Sequence, residues 1–320
     1  MWMQGVEHPE LLEQLPCVER ESSVDGHPEH ARMSLHIPKR LASSCRRTPE
    51  RRAWLERLPD VLRTLAHRWS LILGVPFDDD EVSCAWVAPV TRADGATAVL
   101  KLGMPHMEGA HEVEGLRFWD GVPTVRLLDA DDGLNAMLLE RCTPGTRLRS
   151  LPDPGQDEVI AGLLRRLWRP PAAPHPFRPL SALTAAWSEE TLADAARWPD
   201  TGLVREGLRL FEELPRSTPR AVLLATDLHA GNVLMAEREP WLVIDPKPFV
   251  GDPAYDATQH LFNCEARLHA DQKGTIGRLA DLLGVDPERV RLWLFARAAA
   301  EPRDDWADRD QLTLARVLAP

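Results

Sequence analysis

The sequence predicts an α+β chain of two lobes, a small antiparallel sheet followed by a larger helical part. Three observations carry this. In "EVSCAWVAPVTRADGATAVLKLG" apolar and small residues flank an Asp94-Gly95 turn, the pattern of a β-hairpin. A second pair of apolar runs surrounds Asp132-Gly133 in "PTVRLLDADDGLNAMLLERC". Beyond "CTPGTRLRSL" the chain turns helix-rich and stays so for most of its length. With 44% hydrophobic content, 320 residues suffice for a core in each lobe.

Residues 1–36 read as an extension outside the two lobes. "VERESSVDGHPEHAR" is polar and aperiodic, the composition of a flexible tail, and Met33 offers an alternative start. From Pro49 to Leu73, apolar residues at Trp54, Leu55, Leu58, Val61, Leu62, Leu65 and Trp69 have helical spacing. Pro59 predicts a break within that stretch. Glu108 to Trp119 reads as a helix inserted between the two hairpins. The sheet lobe is thus expected over residues 37–142, and the helical lobe over 143–320, joined near Glu140 to Thr143. In the second lobe, helices from Asp157 to about Leu214 are interrupted by the proline-dense "RPPAAPHPFRP". Short strands follow, and helices resume from about Ala257 to Ala300. No internal repeat is visible.

A formal net charge of −11 argues against nucleic acid or an anionic membrane as partner; it suits a cationic small molecule, and equally serves solubility alone. The five cysteines, Cys17, Cys45, Cys84, Cys142 and Cys264, are scattered and never form CxxC, which fits reduced thiols in a cytoplasm. No apolar run approaches the roughly 18 residues of a membrane span, and the start lacks the basic-then-apolar order of a secretion signal. A monomer or weak dimer is expected. Lysine occurs only at Lys39, Lys101, Lys247 and Lys273. Lys101 lies inside the apolar run "AVLKLG", where an ammonium is costly unless paired. Glu112 or Glu114 on the following helix can supply that partner; an edge-strand lysine that discourages aggregation, and glutamates on a solvated helix face, are the alternatives.

The densest polar grouping lies in "LLATDLHAGNVLM" and "WLVIDPKP". Asp227 ends a buried run, Asn232 follows five residues later, and Asp245 ends the next apolar run. Strand pairing would bring Asn232 and Asp245 together with Asp227 facing the same cavity. An amide oxygen and a carboxylate at strand ends suit Mg2+, which completes its shell with water and phosphate oxygens. Asp227 could then orient a hydroxyl and accept its proton during attack on phosphorus. Taken singly, each residue is equally an Asx-turn or strand-end residue.

"TDLHAGNVL", "VIDPKPFVGDPAYD", "AVLKLG" and "HEVEGLRFWDG" resemble the aminoglycoside phosphotransferase family of the protein-kinase-like fold. "IDPKPFVGDPAYDATQHLFNC" resembles more narrowly its streptomycin 6-phosphotransferase and hydroxyurea phosphotransferase branch. The likeness runs from about Ile37 to about Ala300. It implies an ATP- and Mg2+-dependent small-molecule kinase with Asp227 as catalytic base and Asn232 and Asp245 as metal ligands. Lys101 would hold the α- and β-phosphates, and the spacing to "FWDG" favours Glu112 over Glu114 as its partner. Glu140 to Cys142 would form the hinge whose backbone meets adenine. Asp252 and Asp256 are expected to support the catalytic loop.

There are departures from the family pattern. Ala225 stands where relatives often carry a histidine, and no glycine-rich loop precedes Lys101. The implied acceptor is a hydroxyl of a streptomycin-like aminoglycoside or related cation. Alternatives are another small molecule such as hydroxyurea, or a non-catalytic nucleotide-binding protein. "DLH" also resembles a pair found in metal-dependent phosphoesterases, with His229 as ligand, although the other histidines form no second motif.

Overall fold

The computed structural model describes residues 36–78 and 84–320. Cys17, Met33 and nearly all of the expected tail lie outside these residues. The described chain opens with α1 (Lys39–Cys45) and α2 (Pro49–Arg68). Thr48 caps α2 by accepting the Arg51 N–H at 3.3 Å, and Pro49 follows at the first helical position. The helix runs unbroken through Pro59, where a break was expected. Trp54 and Leu58 before the proline and Leu62 and Leu65 after it are all buried. Burying one leucine is worth about 1.5–3 kcal/mol, so a stripe continuing on both sides outweighs the roughly 3 kcal/mol that an interior proline costs.

Five described strands form the first sheet: β1 (Ile72–Leu73), β2 (Ala85–Thr91), β3 (Thr97–Gly103), β4 (Leu127–Asp131) and β5 (Ala136–Glu140). Their order is β1-β2-β3-β5-β4, and every pairing is antiparallel. At the β2–β3 turn, Asp94 Oδ1 accepts the Ala96 N–H at 2.9 Å and Gly95 takes φ +83°. The register sets Lys101 between Val87 and Met137 on the neighbouring strands. The stretch read as one helix is divided: a 3-10 turn at Glu108–His111 leads into α3 (Glu112–Trp119).

The helical part comprises α4 (Asp153–Leu167), α5 (Leu180–Ala193) and α6 (Thr201–Arg216), then the short strands β6 (Val222–Leu224), β7 (Val233–Leu234), β8 (Leu242–Val243) and β9 (Phe249–Gly251). It ends with α7 (Pro253–Phe262), α8 (Glu265–Ala270), α9 (Gln272–Leu283), α10 (Pro287–Ala300) and α11 (Arg309–Leu318). β6 pairs with β9, and β7 with β8. Asp200, Asp252, Asp271, Asp286 and Asp308 cap α6, α7, α9, α10 and α11 through their side chains. Part of the acidic charge therefore serves helix starts, where the dipole favours it. α10 is buried almost all round from Trp293 to Ala300 and forms the axis of the core. α6 approaches it closely because Gly207 has no side chain: a Cβ there would lie 2.8 Å from the Ala300 Cβ. No helix among the described residues is long and apolar enough to cross a membrane.

Candidate active site

Between the sheet and the helices lies a cleft of about 510 Å³. Its floor is built by the loops after β6 and β8. The chain leaves β6 through Ala225 and Thr226, and Thr226 takes φ +48°, unusual for a β-branched residue. Three groups hold that conformation. Asp256 Oδ1 accepts the Thr226 N–H at 2.7 Å, and its Oδ2 accepts the Ala225 N–H at 3.1 Å and the Trp168 indole N–H at 2.9 Å. Thr226 Oγ1 donates to the Lys247 carbonyl at 2.7 Å, and the Lys247 N–H returns a bond to the Ala225 carbonyl at 2.8 Å. The next residue, Asp227, lines the cleft. Burial pushes its carboxyl up to about 7; Asp245 and Glu108 push the same way, against the ammonium of Lys247.

Asn232 is drawn to Asp227 by its own amide, whose Nδ2 donates to the Asp227 carbonyl at 3.0 Å. The adjacent Ile244 N–H donates to the Asn232 carbonyl at 3.0 Å, extending the β7–β8 pairing to the residue before Asp245. Asp245 itself adopts φ +53°, a conformation that turns its carboxylate back into the cleft beside Asn232 and Asp227.

Lys101 enters from β3. It is 6% exposed, and its Nζ lies 2.6 and 2.7 Å from the two oxygens of Glu112, itself buried on α3. Glu114 faces His111 instead, at 3.9 Å. The same ammonium reaches Asp245 Oδ1, so one lysine joins the sheet, α3 and the floor of the cleft. Lys247 donates to the same oxygen. Burial alone would raise the Asp245 carboxyl, but the two ammoniums hold it well below the usual carboxylate range.

At the far end the chain from Glu140 to Cys142 borders the cleft. The Glu140 side chain is turned away, held by Arg238 at 2.9 and 2.8 Å and by the Arg126 N–H at 3.0 Å. Contact with a ligand therefore falls to the backbone. Val87, Val99, Leu139 and Ile244 make this end apolar, suited to a flat heterocycle. Cys142 is half-buried, and desolvation pushes its thiol up to about 11, so it stays protonated.

The profile of the aminoglycoside/hydroxyurea antibiotic resistance kinases matches residues 68–310. The chain belongs to that family. It is 39% identical over 300 residues to the streptomycin 6-kinase of Streptomyces griseus, covering 89% of this chain and 94% of that one. It is 38% identical over 256 residues to the hydroxyurea phosphotransferase of Kitasatospora aureofaciens, covering 77% and 72%. Among solved structures, LicA in complex with AMP superposes with a TM-score of 0.58 at 10% identity, covering 81% of this chain and 96% of that one. That last likeness concerns the fold, which is the kinase-like one. The chain is thus a phosphotransferase acting on small molecules through a nucleotide-using kinase fold.

In this kinase His229 is spent on the loop. Its Nδ1 accepts the Gly231 N–H at 3.2 Å, and its carbonyl accepts the Asn232 N–H at 2.9 Å. Among the described residues, the one cluster of histidine, cysteine and carboxylate compact enough for a metal is Asp157, His260 and Cys264. There Asp157 already accepts from Arg267 at 2.7 Å and Arg278 at 3.1 Å. No phosphoesterase-like site is assembled from these groups.

Asp252 acts one layer further out than expected. It caps α7 and accepts from the Trp293 indole at 2.7 Å and from Arg289, leaving Asp256 to hold the loop that carries Asp227. Two cleft residues, Lys247 and Glu108, do not stand out in the sequence. Lys247 shows there only as a rare lysine between two prolines beside Asp245, and Glu108 only as a glutamate of the ordinary kind at a helix start.

Proposed function

We propose that this kinase transfers the γ-phosphoryl group of ATP, with Mg2+, to a hydroxyl of a streptomycin-like cationic acceptor. The observation that carries this reading is the 39% identity to a streptomycin 6-kinase across 94% of that enzyme. The cleft supports it: Glu108, Asp227 and Asp245 line it together and repel one another's charge. A guanidinium or ammonium of the acceptor relieves that repulsion as it binds.

The donor set fits Mg2+. Asp245 offers a carboxylate, and the Nδ2 of Asn232 is committed to the loop, which leaves its amide oxygen for the cation. When bound, Mg2+ would neutralise phosphate charge. Lys101, held by Glu112, takes the α- and β-phosphates, and the backbone of Glu140 to Cys142 takes the adenine. Asp227 orients the acceptor hydroxyl toward phosphorus and receives its proton. The new O–P bond forms as the bridging O–P bond breaks, and the electron pair leaves on ADP. Dependence on ATP, and thiols kept reduced, fit a cytoplasmic kinase working as a monomer or weak dimer.

A second reading is phosphorylation of hydroxyurea, supported by the 38% identity to a hydroxyurea phosphotransferase. The test is ADP release from Mg-ATP with streptomycin, other aminoglycosides and hydroxyurea, using Asp227→Ala as control. Streptomycin-dependent turnover, falling about 10²- to 10⁴-fold in the variant, is the expected result. Turnover with hydroxyurea alone selects the second reading. Unchanged turnover in Asp227→Ala overturns the assignment of the base.

A further inference from the structure

Lys247 is only 6% exposed, yet it lines the cleft together with Lys101, Asp227, Asn232 and Asp245. Its backbone is fixed on both sides. Prolines 246 and 248 flank it, its N–H is bound to the Ala225 carbonyl, and its carbonyl accepts from Thr226 Oγ1. Only the four-carbon side chain is free to move. Its ammonium rests on Asp245 Oδ1, the oxygen that Lys101 also holds.

Charge around the ammonium is unbalanced. The carboxylates of Glu108, Glu112, Asp227 and Asp245 all act on it; the cations facing those four are Lys101, Lys247 and, toward Glu108 and Asp227, the Arg297 guanidinium. Lys101 has a dedicated partner in Glu112; Lys247 has only Asp245, which it shares. A divalent cation on Asp245 would repel both ammoniums from that oxygen. Lys101 can remain on Glu112, whereas Lys247 loses its bond.

The position of the ammonium sharpens the point. It meets Lys101 on one Asp245 oxygen, beside the end of the sheet where Ala85, Lys101 and Gly103 line the cleft. A nucleoside triphosphate whose inner phosphates sit on Lys101 would bring its outermost phosphate to a second side-chain cation on the cleft floor.

We propose that Lys247 is that cation: held on Asp245 in the free protein, it passes to the terminal phosphate when metal and nucleotide bind. The proposal rests on the ATP-kinase reading above. During transfer the acceptor oxygen bonds to phosphorus, its proton goes to Asp227, and the bridging oxygen leaves with ADP. Lys247 exchanges no proton and offsets the charge on the moving group throughout.

The experiment measures Kd by calorimetry, with Mg2+, for ADP and for the non-hydrolysable analogue AMP-PNP. The proteins are the wild type, Lys247→Met, Lys247→Arg and Lys101→Met. Loss of one charge-assisted contact should weaken AMP-PNP about tenfold to a hundredfold in Lys247→Met, with ADP changed by less than about threefold. Lys247→Arg should recover part of the difference, and Lys101→Met should weaken both ligands alike. If Lys247→Met does not fold, Lys247→Gln replaces it, keeping a donor to Asp245 without the charge. Equal losses for both nucleotides would make Lys247 a mere prop for Asp245 and overturn the proposal, as would no loss for either. A wild type that binds neither nucleotide would instead overturn the kinase reading.

Discussion

Asp256→Asn separates loop positioning from stability, and its size can be worked from the contacts. The carboxylate serves three N–H donors, those of Thr226, Ala225 and Trp168. An amide has one acceptor oxygen, and its best orientation keeps the two donors on the Oδ2 side. Its NH2 then faces the Thr226 N–H, leaving two buried donors unmatched at roughly 1–3 kcal/mol each. Against this, burial holds the Asp256 carboxyl at about 6 in place of 3.8. That is a burden of roughly 3 kcal/mol on the charged form, which a neutral amide escapes. The net change in stability is centred on a loss of about 1 kcal/mol, or roughly 2 °C in Tm for a domain of this size. The unmatched donor, however, belongs to the residue before Asp227. A displacement there of about an ångström is enough to cut kcat by roughly a hundredfold. Trp168→Phe removes a donor and leaves the carboxylate intact, so it should lower Tm by a few degrees with little effect on kcat. Thermal unfolding and initial rates on both variants decide the matter. Asp256→Asn retaining kcat within twofold, or Trp168→Phe losing as much as Asp256→Asn, would refute the reasoning.

Other expectations follow from single contacts. Burial alone would raise the Asp157 carboxyl, but His260 and Arg267 hold it far below the usual carboxylate range, and Arg278 adds a third contact to it at 3.1 Å. Its stabilisation is complete above about pH 4 and is lost as pH falls further. Asp157→Asn should lower Tm at pH 7 by the equivalent of about 2–3 kcal/mol, less than for a fully buried pair because Arg267 and Arg278 reach water. Its Tm should also change less than that of wild type between pH 5 and pH 3. Glu112→Gln leaves Lys101 one neutral amide oxygen and Asp245 as its only anionic hydrogen-bond partner, and should destabilise by about 2–3 kcal/mol in chemical denaturation and weaken ADP binding. Gly207→Ala sets a Cβ 2.8 Å from the Ala300 Cβ and 3.0 Å from that of Ala299. Neither neighbour can rotate away, so overpacking should outweigh the gain in helix propensity and cost about 1–2 kcal/mol. A Tm above wild type would contradict that view of the α6–α10 contact.

Much of the fold was legible because local rules and tertiary needs agree. Asp94-Gly95 and Asp132 to Asn135 mark turns by chemistry that acts within a few residues, and the strands on either side follow. Pro59 misled because its local effect was outweighed by burial of residues on both sides, which depends on what α2 packs against. Asp227, Asn232 and Asp245 stood out because a polar residue ending an apolar run is unusual wherever the strand leads. Lys247 and Glu108 did not, since their meaning lies in which charges the fold gathers around them. The same holds for Asp256: its donors come from residues 31, 30 and 88 positions away. The pairing of Glu140 with Arg238 spans 98 positions and was likewise out of reach.

That pairing has a mechanical side. The Arg238 guanidinium, between β7 and β8, binds Glu140 and also the carbonyls of Gly121 at 2.8 Å and Thr124 at 2.9 Å. A single planar group thereby rivets the segment that enters the sheet lobe from α3, the strand that leaves it and the floor of the cleft. Swinging one lobe on the other about the 140–142 connection would strip several charge-assisted bonds at once. The edge of the cleft at residues 140–142 then behaves as a fixed jaw, and traffic into and out of the cleft falls to its opposite edge.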